Sequence, residues 1–485
     1  MPVSATLSQL VEVLLAQPVN LSASALAQLG SGIQTDTRML QAGEVFVALR
    51  GEKFDGHEFV PMAMAFGAIA AIVDYAYENP GVPVLQVKDT LQAYQQIARW
   101  WRESFSVPVI GVTGSVGKTT TKELIAAVLA TKGKVHKTYG NFNNEIGVPK
   151  TLLELGTEHD FAVIEMAMRG RGQIAELTQI AKPTIGVITN VGTAHIELLG
   201  SEAAIAAAKC ELLAEMPANS VAILNHDSPL LMETAAKLWQ GKVISYGFSG
   251  GDIQGKLIDN EVVEVAGMRL PLPLPGRHNA TNFLAALAVA QVLEIDWASL
   301  QNGVMVNMPT GRCQRFALPN DVLILDETYN AAPEAMLAAL QLLADTPGKR
   351  KIAVLGAMKE LGARSQQLHQ QVGEMVQNLQ LDGLLVLVDG QDAETIANSA
   401  QGIPSECFTT HADLVARLKT FVQEGDRLLF KAAHSVGLDR VVNQLRAELT
   451  TRSQESGVST SLLLSETLRE RDASRTTTLS DQRKN

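Results

Sequence analysis

The segment GVTGSVGKTT, residues 111–120, places three glycines, a lysine and three threonines where an apolar run meets a helical pattern. Such a turn does phosphate chemistry. Glycines let successive backbone N–H groups curl around phosphate oxygens, and the N-terminus of the following helix adds partial positive charge. On this reading Gly114, Ser115, Val116, Gly117 and Thr120 line a phosphate cradle, Lys118 reaches the β- and γ-phosphates, and the Thr119 hydroxyl faces a magnesium ion. The spacing departs from the strict phosphate-loop pattern, since Val112 stands five residues before Gly117 where that pattern has glycine. The motif says that a nucleoside triphosphate is bound and leaves kinase, GTPase and ligase open.

Two further strand ends carry polar groups. In FAVIEMAMRGRG, Glu165 follows a buried run, and in GVITNVGTAHIELLG, Asn190, Thr193 and His195 do. Ligands of open α/β sheets gather at the carboxyl ends of strands. A carboxylate there suits magnesium, which prefers hard oxygen donors, and is expensive to bury without a partner. A lone histidine after a strand is more often an ordinary loop or core residue, so His195 carries little weight by itself.

The elements that hold these residues follow from short apolar runs alternating with helical periodicity. EVFVALRG and AIAAIVD read as strands of a first region, and Phe59 to Val73 as a short helix followed by a buried strand. From Val107, VPVIGVTG, FAVIEMA, PTIGVITNVG, VAILN and KVISYG are strands with helices between most of them. That rhythm implies parallel pairing with both sheet faces covered. From Gln314 it repeats in VLILDET, KIAVLGAM, GLLVLVD and DRLLFKAA, as in a second doubly wound sheet. The expectation is an α/β protein of three domains. These are a small α/β N-terminal domain (1–106), a central P-loop ATPase-type domain with a mainly parallel sheet (107–313) and a C-terminal Rossmann-like domain (314–450). A polar tail (451–485), too poor in apolar residues to bury a core, is expected to be disordered.

The formal charge of −11, with 40 Lys and Arg spread thinly, argues against a nucleic-acid partner. Three distant cysteines, Cys210, Cys313 and Cys407, suggest buried reduced thiols rather than disulfides or zinc. No apolar run is long enough to span a bilayer and no basic residue precedes Arg38, so a cytoplasmic protein not embedded in the membrane is expected.

In order along the chain, the phosphate loop, EMAMRGRGQI, ITNVGTAHIELLGS, AAAKCELL, LPGRHNATNFLAALAVA, PTGR and DETYNAAPEAM resemble the Mur ligase family. Its members join amino acids or peptides to UDP-N-acetylmuramoyl precursors. TDTRMLQAGEVFVALRGEKFDGHEF, GNFNNEIGVPKTLL and VLGAMKELGARSQQLHQQVG are most similar to the member that adds D-alanyl-D-alanine (D-Ala-D-Ala) to UDP-N-acetylmuramoyl-tripeptide. Another ligase of the family, adding a different amino acid or dipeptide, is the alternative.

The resemblance implies transfer of the ATP γ-phosphate to a carboxylate, then attack by an amine on the acyl phosphate. It implies ATP and two Mg2+ ions as cofactors, with Lys118, Glu165, His195 and Lys209 as catalytic residues and Thr119, Glu165, His195 and Lys209 as metal ligands. Lys209 matches a lysine carbamylated in many relatives; otherwise it is an ordinary solvated helix residue. Asn279 and Asn282 are implied to reach adenine, unless they merely cap their helix, and Arg312 the ATP phosphate. Asp326 is implied to contact the ribose, and Tyr329 and Asn330 to complete the nucleotide site. Asp36, Thr37, Arg38, Phe54, Asp55 and His57 are implied to bind the UDP-sugar, and Asn143 and Asn144 the acceptor peptide. Two places depart from the family pattern. Ala357 stands where aspartate is common, and Lys431-Ala432-Ala433-His434 stands where Lys-Gly-Ser-Arg is common. Nothing in the sequence demands more than a monomer.

Overall fold

The computed structural model describes residues 3–455. The chain forms two compact units. Among the described residues the first comprises 3–309 with Ala332–Ala338 and Glu360–Ser365; the second comprises Thr310–Ala331, Ala339–Lys359 and 366–455.

The first unit is built on a nine-stranded sheet. Its central strands, Val109–Thr113, Phe161–Glu165, Ile185–Ile188 and Val221–Asn225, are parallel. They are almost wholly buried. Because helices cover both faces, these strands read as continuous Val and Ile runs and not as alternating ones. Each fully buried Ile or Val there contributes about 1.5–3 kcal/mol. The strands Ile253–Leu257, Val262–Val265 and Met268–Pro271 extend the sheet with antiparallel pairs. The strand reading above does not contain them, because their exposed, polar alternate residues give no continuous apolar signal.

A five-stranded sheet occupies the first region, with Val45–Val47, Ala70–Asp74 and Val84–Val87 in parallel at its centre. The helix Thr90–Glu103, capped by the Asp89 side chain accepting from Gln92 N–H at 2.9 Å, joins this region to the middle one. Trp101 Nε1 donates to Leu155 O at 2.9 Å and Arg102 Nε to Ala181 O at 3.1 Å. One apolar core runs from Leu7, Leu10 and Ile97 through Leu152, Leu177 and Leu213, so the first and middle regions share an interior.

The second unit holds a six-stranded sheet in the order Gln314–Leu318, Val322–Asp326, Asp426–Lys431, Arg350–Gly356, Gly383–Leu387, Ser405–Phe408. The first pair is antiparallel and the rest are parallel. This is the doubly wound architecture expected of the region, with an added antiparallel edge strand.

Two expectations need correction. Only Cys210 of the three cysteines is buried; Cys407 is exposed and Cys313 half-buried. Burial pushes the Cys210 thiol up to about 12, which leaves it inert. The segment taken as a tail from Thr451 begins inside a helix, since Leu438–Glu455 is continuous. Its remainder, 456–485, lies outside the described residues. Among those described, no helix is long and apolar enough to cross a membrane.

Candidate active site

The strand Val109–Thr113 delivers the chain into the phosphate loop, and the helix Lys118–Leu129 leaves it. No side chain caps that helix, whose N-cap is Gly117. Its first N–H groups therefore face outward as anion donors. Gly114 has φ +150° and Gly117 φ +81°. A Cβ on Gly114 would collide with Thr189 Oγ1, and one on Gly117 would meet Asn282 Oδ1 at 2.7 Å. Lys118 Nζ donates to the loop carbonyls of Gly114 at 2.9 Å and Ser115 at 3.2 Å, which folds it back over the cradle. Thr119 and Thr120 are buried at the start of the helix.

The grip on this loop comes from the neighbouring strand. Register pairs Val112 with Val187 and Thr113 with Ile188, so Thr189 and Asn190 emerge beside Gly114. Ser115 N–H donates to Asn190 O at 3.1 Å and Val116 N–H to Asn190 Oδ1 at 3.0 Å. Thr189 Oγ1 donates to Val116 O at 2.6 Å, and Gly192 N–H to Ser115 Oγ at 2.9 Å. Sequence reasoning marks Asn190 as a polar strand-end residue but misses its role as a clamp. Thr189 it misses altogether, and the adjacency of the two strands is the signal that identifies it. Asn282 Oδ1 accepts from Thr121 Oγ1 at 3.2 Å and so abuts the loop helix, whereas Asn279 Nδ2 donates locally to Pro275 O at 2.9 Å.

On the other side, register pairs Glu165 with Val112, which brings this carboxylate to the loop. Glu165 is 1% exposed. Its N–H donates to Thr138 Oγ1 at 3.0 Å, and its Oε1 accepts from Asn143 Nδ2 at 2.8 Å. Its Oε2 is buried without a hydrogen-bond partner. A buried carboxylate oxygen without a hydrogen bond is costly, and with the Lys122 ammonium no nearer than 4.0 Å it leaves a coordination position for a metal cation. Among the described residues no three His, Cys, Asp or Glu side chains converge. The donors that fit magnesium are therefore the Glu165 oxygen, the Thr119 hydroxyl and phosphate oxygens.

His195 lies at the N-cap of Ile196–Leu199 with φ +65°, and its Nδ1 pairs closely with Glu360 Oε2. Burial lowers its pKa, with Lys118 and Lys209 adding to the effect and Glu360 opposing it. Thr193 donates through N–H at 2.7 Å and Oγ1 at 2.9 Å to Glu334 Oε1, while Glu334 Oε2 is buried without a partner. Glu334 and Glu360 belong to the first unit and have no spacing signal that ties them to the histidine loop. Lys209, on the helix Glu202–Glu215, is fully buried and not a solvated helix residue. Burial, and then the charge of Lys118, pushes its pKa well below the ordinary value. Lys118, His195 and Lys209 thus feel one another's charge.

The candidate substrate residues are spread over several loops of the first unit. Arg38 pairs with Asp36, Nε donating to Oδ1 at 2.9 Å and to Oδ2 at 3.2 Å and Nη2 to Oδ2 at 2.6 Å, and holds that carboxyl below its usual range. Thr37 lies between them, and Phe54 is 59% exposed. His57 is buried, its Nδ1 donating to Asp55 at 2.6 Å and its Nε2 accepting from Asp74 N–H at 3.1 Å. Both ring nitrogens are engaged within the fold. Asn143 contacts Glu165, and Asn144 Oδ1 accepts from the N–H of Gly147, first residue of the helix Gly147–Leu153, at 2.9 Å.

In the second unit Asp326 ends its strand buried, with Oδ1 accepting from Thr328 N–H at 3.0 Å and Oγ1 at 2.6 Å; burial raises its pKa. The Arg312 guanidinium lies 3.9 Å from the centre of the Tyr329 ring, which stacks on His434 at 5.5 Å. Lys431 Nζ donates to Asn330 O at 2.9 Å. The two departures from the family pattern are neighbours, since Ala433 N–H donates to Ala357 O at 2.9 Å.

One consequence is testable directly. Gly114→Ala forces a collision with Thr189 at a strained φ, so MgADP affinity falls about 10- to 100-fold, from roughly 1–3 kcal/mol of strain. Titration calorimetry measures this, and unchanged affinity would contradict the cradle assignment.

Known proteins are similar to this chain in sequence and fold. The family model for the Mur ligase middle domain matches residues 112–290, that for the Mur ligase glutamate ligase domain 311–434, and that for the Mur ligase family catalytic domain 31–102. A Synechocystis UDP-N-acetylmuramoyl-tripeptide–D-alanyl-D-alanine ligase is 60% identical over 423 residues, 87% of this chain and 93% of that protein. The Escherichia coli K12 enzyme of the same name is 35% identical over 92% of this chain and 99% of its own length. The crystal structure of MurF ligase from Thermotoga maritima in complex with ADP superposes with a TM-score of 0.79 at 33% identity, covering 87% of this chain and 98% of that one. This chain belongs to the Mur ligase family and is an ATP-dependent ligase.

Proposed function

We infer that the chain joins D-Ala-D-Ala to UDP-N-acetylmuramoyl-tripeptide, consuming ATP and releasing ADP and phosphate. The observation that carries this reading is the phosphate loop beside a buried carboxylate with one unpaired oxygen, in a chain 60% identical to a ligase of that name. A free carboxylate resists nucleophiles because it is anionic. Its oxygen attacks the ATP γ-phosphorus, the bond to the β–γ bridging oxygen breaks, and ADP leaves. The dipeptide amine then attacks the acyl carbon, loses a proton, and phosphate departs with the transferred oxygen.

The chain's part is positioning and neutralisation. The uncapped N–H groups at the start of the loop helix hold phosphate oxygens, and Lys118 leaves its loop carbonyls to meet charge developing on the γ-phosphate. Glu165 and the Thr119 hydroxyl hold magnesium, with His195 and a carbamylated Lys209 serving a second ion. Magnesium bound there neutralises phosphate charge. Asn282, which abuts the loop helix, binds the nucleotide, and Arg38 with its neighbours binds the UDP-sugar.

With the acceptor carboxylate labelled with 18O, one labelled oxygen per turnover is expected in the released phosphate, read by mass spectrometry. Unlabelled phosphate beside a formed peptide bond would exclude the acyl-phosphate route.

A further inference from the structure

Behind the phosphate loop lies a charged cluster that the scheme above does not use. Lys122 sits on the loop helix one turn after Lys118 and is fully buried. Its Nζ donates to Thr138 O at 2.7 Å, pairs with Glu123 Oε1 at 2.9 Å and stands 4.0 Å from Glu165 Oε2. Glu123 is also paired with Lys137. The Thr138 hydroxyl accepts from Glu165 N–H at 3.0 Å. A single path therefore runs from the loop helix, through Lys122 and Thr138, to the residue whose second carboxylate oxygen lacks a hydrogen-bond partner.

A buried ion pair is weak evidence for stability, because apolar side chains of the same volume usually serve the core as well or better. What this one does is fix a distance. Thr119 lies on the loop helix and Glu165 at the end of a strand, so their separation is set by how the helix is tied to the sheet. Magnesium tolerates little error, since it demands near-octahedral geometry with short bonds.

We propose that Lys122 is a positioning residue for magnesium: its hydrogen bond to Thr138 locks the helix bearing Thr119 to the strand end bearing Glu165. This rests on the reading that Thr119 and Glu165 hold the ion.

Two effects of removing Lys122 oppose each other, which makes the sign informative. An ammonium 4.0 Å from Glu165 repels a second cation, so its loss alone would tighten metal binding. Loss of the lock loosens it. Glu123, at 2.9 Å, is closer to the ammonium than Glu165 and cancels much of its field, so loosening wins.

The test uses Mn2+ as the probe, with free Mn2+ followed by electron paramagnetic resonance in the full chain with saturating ADP. Lys122→Met keeps the length and removes the donor. Thr138→Val keeps every charge and removes the acceptor of the Glu165 N–H. Both are expected to weaken Mn2+ binding about tenfold, the scale for losing a group that orients a metal ligand. ADP affinity in excess chelator is expected to stay unchanged. Tighter Mn2+ binding by Lys122→Met, or unchanged binding by Thr138→Val, would overturn the proposal. If Lys122→Met does not fold, Lys122→Leu, which also removes the donor to Thr138 O, takes its place with the same expected weakening. Absence of Mn2+ binding in the unaltered chain overturns it too. Mn2+ binding that responds as expected, in a protein without ligase turnover, contradicts the proposed reaction and supports this inference.

Discussion

Lys118→Met is expected to lower kcat by about a thousandfold, the loss that follows removal of a preorganised charge from a transferring group. The ammonium now rests on the carbonyls of Gly114 and Ser115, at 2.9 and 3.2 Å. It therefore has a place to wait without leaving the loop. Methionine keeps the length and volume but brings no charge to the γ-phosphate. The loop itself is held by Thr189 and Asn190 through backbone and side-chain bonds that do not involve Lys118. The variant is expected to keep its melting temperature and to bind ADP, so the loss falls on kcat. Steady-state phosphate release beside ADP calorimetry separates the two. A kcat within tenfold of the unaltered enzyme would mean that another group supplies the charge.

Lys209→Met is expected to cost about a hundredfold in activity, the scale for loss of a supporting metal ligand. Burial first, and then Lys118, lowers the folded-state pKa of Lys209. An ammonium has no lone pair, whereas a neutral amine attacks CO2. The depressed pKa raises the neutral fraction at any pH below the ordinary lysine value. Carbamate is therefore expected to form near neutrality, to increase as pH rises and to be lost on acidification. With 13C-bicarbonate, a carbamate carbon resonance should be present in the unaltered protein and missing in Lys209→Met. Lys209→Glu, which supplies a carboxylate oxygen, is expected to regain part of the activity. Rescue by Lys209→Arg instead would show that the residue acts as a cation.

Much of this site was legible in the residues because its chemistry is local. The phosphate loop announces itself through glycines, Lys118 and Thr119 between a buried strand and a helix. Glu165 is found because a parallel sheet brings strand ends together, and its register with Val112 sets it at the loop. What escaped is what depends on packing between distant segments. Thr189 grips the loop through strand adjacency, Glu334 holds Thr193 across 141 residues of sequence, and Glu360 pairs with His195 across 165. No spacing rule connects such pairs. Lys122 carries no signal of its own in the sequence, because a lysine on a helix is usually exposed. Its burial emerges only once the strand carrying Glu165 covers that helix face. Likewise the strands from Ile253 to Pro271 were missed because an edge with one wet face lacks the continuous apolar run of a central strand.

The reaction itself is tested by phosphate release from the purified protein with ATP, magnesium, UDP-N-acetylmuramoyl-tripeptide and D-Ala-D-Ala, each omitted in turn. The expected result is release only when all four are present, with a UDP-linked pentapeptide identified by mass. Release without the dipeptide, or ATP binding with no turnover under any combination, would contradict the assignment. The second result would direct attention to Ala357 and Ala433, whose backbones are bonded together where the family pattern is broken.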